Sequence, residues 1–199
     1  EIDNHATQEG AGLGRMRWRD LDHDGKITEL DQTWIYDPVP DFTYGFNVYL
    51  EYKNFDFTAF FQGVQGVDII SDLKKETDIW AGLNIGNLNK GHRLLNAWCV
   101  DNPSSNIPAV TLSDNNNEKR VSTYWVENGS YLKLRTIQLG YNLPQNIVSK
   151  LSMQRLRMYV SAQNLFTIKS SSFTGVDPEN PNYGYPIPLN ITFGLNVTF

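Results

Sequence analysis

Only one cysteine, Cys99, occurs in 199 residues, which excludes an internal disulfide framework and a Cys-rich zinc site. Cys99 is expected as a small packed apolar residue. No run approaches the roughly 18 apolar residues of a spanning helix. Basic charge is also in short supply: 17 Lys and Arg against 22 Asp and Glu give a formal net charge of -5, and no basic stripe is available to collect phosphates, so nucleic acid is excluded as a partner. The three histidines, His5, His23 and His92, are scattered without ligand spacing and read as exposed. No nucleophile elbow, phosphate loop or outstanding carboxylate pair points to an enzyme such as a glycan hydrolase. No signal peptide stands at Glu1, and the chain is expected to be a mature fragment or the tail of a larger protein.

What the sequence does have is alternation. From Asn190 to Phe199, Ile191, Phe193, Leu195, Val197 and Phe199 take one side and Asn190, Thr192, Gly194, Asn196 and Thr198 the other. Apolar on one face and amide or hydroxyl on the other, such a strand suits a barrel wall between lipid and a wet lumen. Barrel strands dilute their apolar residues by half, so a bland composition is compatible with a membrane.

The same period recurs upstream. Phe42, Tyr44, Phe46, Val48, Leu50 and Tyr52 share a face; a tight turn at Lys53-Asn54 leads into Phe55, Phe57, Ala59 and Phe61, predicting a hairpin with an aromatic outer face. Residues 130–143 change phase between Leu132/Leu134 and Ile137/Leu139/Tyr141, predicting a bulge near Arg135-Thr136. Residues 155–166 alternate cleanly, with Leu156, Met158, Val160 and Ala162 outward. Leu13 to Arg19 predicts a further strand with Arg15, Arg17 and Arg19 facing water. Residues 66–124 read as one long loop with short helices near 72–80 and 94–100, and 169–188 as a second loop. The expected fold is all-β, an antiparallel transmembrane β-barrel segment. A strand of about 10 to 12 residues, tilted by about 40°, covers roughly 25 to 30 Å, the height of an outer-membrane apolar band. Short and long connections alternate, as periplasmic turns and extracellular loops do. About six strands cannot close a barrel, since even the smallest has eight.

Asp20-Leu-Asp22-His-Asp24-Gly25-Lys26, with Asp31 at the twelfth position, has the spacing of an EF-hand-type calcium loop over residues 20–31. Asp20, Asp22, Asp24 and Asp31 would supply carboxylates and Lys26 its carbonyl, with Gly25 at the sharp turn. The plainer alternative is an Asx-turn loop with solvated carboxylates. No amphipathic helix precedes it, so a helix-loop-helix is not expected.

Several stretches resemble the C-terminal end of SusC/RagA-type TonB-dependent outer-membrane transporters of the Bacteroidota: Asp20 to Thr28, Pro40 to Phe46, Phe60 to Gly66, Gly129 to Arg135, Gln138 to Tyr141, Ser161 to Phe166 and Phe193 to Phe199. The resemblance covers nearly the whole chain. It implies the last strands of a roughly 22-stranded barrel with an internal plug, opened through the TonB complex by N-terminal regions this sequence lacks. It further implies an outer-membrane location, a SusD-like lipoprotein lid, and oligosaccharide or peptide cargo. Thr192, Gly194, Val197 and Phe199 resemble the terminal signal read by the barrel-assembly machinery.

Trp80, Trp98, Tyr124 and Trp125 fall in or beside the long loop, where they could stack on sugar rings or contact a partner; packing of the loop against itself is the plainer expectation. Arg15, Arg17, Arg135, Arg155 and Arg157 either line a basic lumen or pair with inward carboxylates such as Glu51 and Asp56. The leading expectation is thus a segment of a nutrient importer. The alternative is a soluble calcium-dependent carbohydrate- or protein-binding β-module.

Overall fold

The computed structural model describes residues 6–78, 90–111, 113–181 and 184–199. The period-two stretches at 42–52, 55–61, 155–166 and 190–198 are strands. β1 (Phe42–Tyr52) and β2 (Phe55–Gln65) form the expected hairpin, followed by short β3 (Asp68–Ile70) and β4 (Val126–Asn128), then β5 (Tyr131–Asn142), β6 (Arg155–Lys169) and β7 (Asn190–Thr198). The five long strands make one sheet in the order β1-β2-β5-β6-β7, and β3 pairs with β4 in a separate ribbon. Each neighbouring pair in the large sheet is antiparallel.

Register aligns the faces from strand to strand. Leu50 is opposite Phe57, Phe57 opposite Leu139, Leu139 opposite Val160, and Val160 opposite Phe193. Directly opposed residues share a face, so these rows build one continuous apolar surface. Across it Phe46 stacks on Phe61, with centroids 4.6 Å apart, and Phe55 meets Tyr141 at 4.7 Å. Tyr52, Phe55 and Tyr141 fall in one row at the sheet's end. Phe42, Phe46, Leu50, Leu139, Phe193 and Leu195 are exposed on this face. The opposite face carries Tyr49, Thr58, Gln138, Ser161 and Thr192 in one row.

The phase change in β5 is a bulge. Thr136 pairs with Phe60 and Leu134 with Phe61, leaving Arg135 without a counterpart on β2; the ladder to β6 shifts at the same place. This extra residue puts Leu132 and Leu134 on the apolar face with Ile137 and Leu139. Two glycines seat rings: a Cβ at Gly63 would strike the ring of Tyr44 opposite it, and a Cβ at Gly194 that of Tyr159.

The chain divides into two compact units, residues 37–69 with 127–199, which hold the large sheet, and residues 1–36 with 70–126. The second unit corrects some expectations and agrees with another. Residues 13–19 are not a strand: Gly14 turns at φ +71°, and the N–H groups of Met16 and Trp18 donate to the side chains of Glu118 and Gln8, so side chains satisfy the backbone. The short helix expected near 72–80 is α1 (Asp72–Asp78), and the described residues of this stretch also hold 3-10 turns at His92–Asn96 and Thr123–Trp125. The helix expected over 94–100 is thus a 3-10 turn ending at Asn96, and Cys99 is exposed rather than packed.

Trp125, wholly buried, centres this unit against Met16, Ile70 and Tyr124. Its indole N–H donates to the Arg120 carbonyl at 2.9 Å, and the Tyr124 ring meets it edge-on at 4.7 Å. Burial, then the neighbouring Asp78 carboxylate that accepts the Tyr124 hydroxyl at 3.0 Å, pushes the Tyr124 pKa well up. Among the described residues, no helix is long and apolar enough to cross a membrane.

Candidate functional site

The acidic loop follows from short-range hydrogen bonding. Asp20 accepts from the N–H groups of His23 (2.7 Å) and Gly25 (3.0 Å), Asp22 from Asp24 (3.1 Å), and Asp24 from Lys26 (2.7 Å). Gly25 takes φ +83°, which its lack of a Cβ permits. These bonds fold the loop so that carboxylate oxygens of Asp20, Asp22 and Asp24 lie within 4.8 Å of one another. The donors are all hard oxygens, a set that fits Ca²⁺ and not a soft metal. Asp31 stands outside this cluster. It closes a capping box on the 3-10 turn Glu29–Asp31, accepting from Leu21 and Thr28, both at 2.7 Å; these bonds lower its pKa, the one from Thr28 most. Lys26 is held through its backbone, in an isolated parallel bridge to Thr7. Of the four expected carboxylates, the structure brings three together.

The expected aromatic contacts separate. Trp80 lies outside the described residues. Trp98 packs on Gly14, Tyr124 and Trp125 pack on each other, and Trp125 has no surface to offer. The arginines pair, as the plainer reading expects: Arg15 with Glu118 at 3.0 Å, Arg157 with Asp56, and Arg135 with Glu179. Arg155 donates instead to the Asn142 side-chain oxygen, and Glu51 accepts from Tyr49. On β7, Thr192 and Gly194 stand on the polar face, with Val197 on the apolar face opposite Leu156; Phe199 is exposed.

Two features were not legible from sequence motifs. First, the loop after β6 is tied to the polar face of β5. Lys133, 1% exposed, contacts Asp177 at 2.8 Å and Glu179 at 2.6 Å, while the Tyr131 hydroxyl donates to Glu179 at 2.6 Å. Burial alone would raise the Glu179 pKa, but hydrogen bonds from Lys133, Tyr131 and Arg135 outweigh it and hold the carboxyl below its ordinary value. Thr174 adds two bonds to Glu127, at 3.0 and 2.7 Å. Second, a cavity of about 770 Å³ is lined by Trp18, Arg19, Trp34, Tyr36, Arg120 and Ser122, among others. The only sequence hint is the aromatic pair Trp34 and Tyr36.

No protein-family model matches the chain. It is 37% identical over 202 residues to TonB-dependent receptor P3 of Formosa agariphila, covering 94% of this chain and 19% of that protein. It is 31% identical to TonB-dependent receptor P26 of the same organism, with 100% and 21% covered. TonB-dependent receptor SusC of Bacteroides thetaiotaomicron is 27% identical, with 90% and 17% covered. The chain thus spans about a fifth of the length of these relatives. Among solved structures, the RagAB peptide transporter superposes with TM-score 0.69 at 28% identity, covering 82% of this chain and 18% of that one. The RagAB peptide importer in its closed-closed state gives TM-score 0.71 at 27% identity, with 90% and 20% covered.

Proposed function

The chain is a segment of a SusC/RagA-type TonB-dependent receptor, and we propose on that premise that it builds part of the wall and outer surface of an outer-membrane nutrient importer. The observation that carries the proposal is the two-faced sheet. Five antiparallel strands hold Leu50, Phe57, Leu139, Val160 and Phe193 in one row on one face. Strands of 9 to 15 residues suit a tilted crossing of hydrocarbon, where about 9–11 residues suffice. In lipid, only a closed sheet satisfies every backbone group, so further strands of the same receptor would complete a barrel of about 22 strands.

In this reading the apolar face meets lipid and the polar face, with Arg157, Asp56 and Gln138, meets the lumen. The segment carries no chemistry of its own. Transport belongs to the whole receptor: energy through the TonB complex, a SusD-like surface lipoprotein as lid, and an oligosaccharide or peptide as cargo. The loop over 66–124 would belong to the extracellular loops of the receptor. The Asp20, Asp22 and Asp24 carboxylates would hold a calcium ion, which would fix the loop's shape by neutralising three crowded charges.

Extraction of the receptor that carries this sequence from its native membrane tests the proposal. The expected result is a detergent-dependent protein near 100 kDa or above, with a surface lipoprotein co-purifying. A species near 22.7 kDa that stays soluble without detergent would overturn it in favour of a calcium-dependent binding module whose apolar face closes on itself.

A further inference from the structure

Connections usually run outward over the surface, but the loop after β6 turns back onto the polar face of the sheet. Lys133 stands opposite Gln62, which alternates with Phe60, Thr58 and Asp56 along that face of β2. From there it reaches Asp177 at 2.8 Å and Glu179 at 2.6 Å. On β6, Lys169 lies opposite Tyr131 and donates to the carbonyls of Gly175 and Val176. On β4, buried Glu127 accepts from the N–H and the hydroxyl of Thr174. Three strands thus fasten one loop.

The bulge in β5 serves the same hold, since bulges re-aim a side chain. Arg135, the extra residue, donates to Gln62 at 2.9 Å and pairs with Glu179, so it joins Lys133 on the polar face. The loop itself has two sides. Phe173, Gly175, Asp177 and Pro178 are buried beneath it, whereas Ser171, Ser172 and Val176 are exposed above. The Asn180 N–H donates to the Asp177 carbonyl at 3.0 Å, closing a turn around Pro178 that offers both carboxylates to Lys133. An ammonium as buried as this one, 1% exposed, is stable only when paired. The loop and the lysine therefore hold each other in place.

We propose that residues 170–181 are an inward strap that narrows the mouth of the importer and limits the bulk of what reaches the wall beneath it. Tyr131, Lys133 and Lys169 stand at the end of the sheet opposite the short connections at 53–54 and 143–154, the end from which the long loops leave. A layer of chain laid on a sheet face stands about 10 Å off it, so the strap takes that depth from the bore on this side. Polar barrel interiors are narrowed by loops in just this way. The inference rests on the importer reading, in which the polar face lines the lumen, and adds a restriction built into this segment.

The test labels a cysteine placed further along the wall. In the full-length receptor in detergent, Gln138→Cys lies on the polar face between Thr58 and Ser161, and Cys99→Ser removes an exposed thiol. Small N-ethylmaleimide and a bulky polyethylene-glycol maleimide are compared, with the receptor carrying Cys99→Ser alone as the blank. The small reagent should react equally fast with the strap held or released, which also shows that the barrel keeps its fold. The bulky one should react slowly, and about tenfold faster once Asp177→Asn and Glu179→Gln together release the strap. Replacing residues 172–179 by a short Gly-Ser link should have the same effect and reads the strap should the first variant fail to fold. A bulky reagent that reacts freely with the strap held, or that neither change speeds, would overturn the proposal. Failure of the importer reading is a separate observation, since it would appear as absence of the receptor from the outer-membrane fraction.

Discussion

Arg157 on β6 reaches across β5 to grip Asp56 on β2, with Nε–H to Oδ2 at 2.8 Å, passing over Gly140 on the strand between them. A Cβ at Gly140 would collide with the guanidinium and with both carboxylate oxygens. One missing side chain thus lets a single ion pair tie three strands together. Gly140→Ala should force the pair apart, and Arg157→Gln should strand a partly buried carboxylate, a loss of about 3–5 kcal/mol where an ion pair is well buried. Urea unfolding of the refolded receptor in lipid vesicles reads this. A midpoint unmoved by either change would mean that the pair contributes nothing to holding the sheet.

The lipid-facing assignment predicts a strong asymmetry along β7. Leu195→Arg faces hydrocarbon and should destabilise by about 2–4 kcal/mol if near the midplane, whereas Asn196→Arg, one residue on and facing the lumen, should change stability little. The same vesicle titration compares them, and equal effects would contradict the assignment.

The loop anchored on Lys133 should loosen in acid. The Glu179 pKa is lowered by its cationic and phenolic neighbours, so its contribution is present above the unfolded carboxyl pKa and fades as pH falls through the lower folded value. Hydrogen exchange over residues 170–181 should therefore accelerate as pH drops below the usual Glu range, after correction for intrinsic rates. Glu179→Gln should make exchange fast at neutral pH and remove most of the dependence. A flat profile in the unaltered receptor would show that the loop is held by other contacts, such as Thr174 with Glu127.

Calcium is checked with the receptor and terbium as a luminescent stand-in. Sensitised emission should appear with Asp20, Asp22 and Asp24 intact and fall at least tenfold in affinity with Asp22→Asn. Asp31→Ala should instead disturb the capping box with or without metal, because both Asp31 oxygens are committed to backbone N–H groups. No terbium signal, or one insensitive to Asp22→Asn, would leave the loop as a set of Asx turns.

The strands and their faces were open to sequence reasoning because a two-residue period is a local signal. Phe42 through Tyr52 announces β1 without reference to any other residue, and the phase break between Leu134 and Ile137 announces the bulge. The other unit was opaque for the converse reason. Met16 depends on Glu118, 102 positions away, and Trp18 shares its cavity with Ser122. Such contacts leave no period in either segment. Three arginines at alternate positions from Arg15 to Arg19 therefore imitate a strand, although Arg15 is neutralised by Glu118 and Arg17 donates to the Ala6 carbonyl. The acidic loop falls between these cases: its Asx turns are local and legible, while the diversion of Asp31 depends on where Leu21 and Thr28 come to rest.

The bulge at Arg135 gives β5 one residue more than its pairing with β2 needs. Strand faces obey an odd-even rule, so excising a residue ordinarily inverts everything beyond the cut. Here the rule is already broken once, and excising Arg135 would mend it against β2: Thr136 would follow Leu134 in regular alternation, and Leu132 and Leu134 would keep their side. Excising Gln138 would instead invert the strand beyond it. This is a strand in which the harm done by a deletion depends on arithmetic parity more than on the identity of the residue lost.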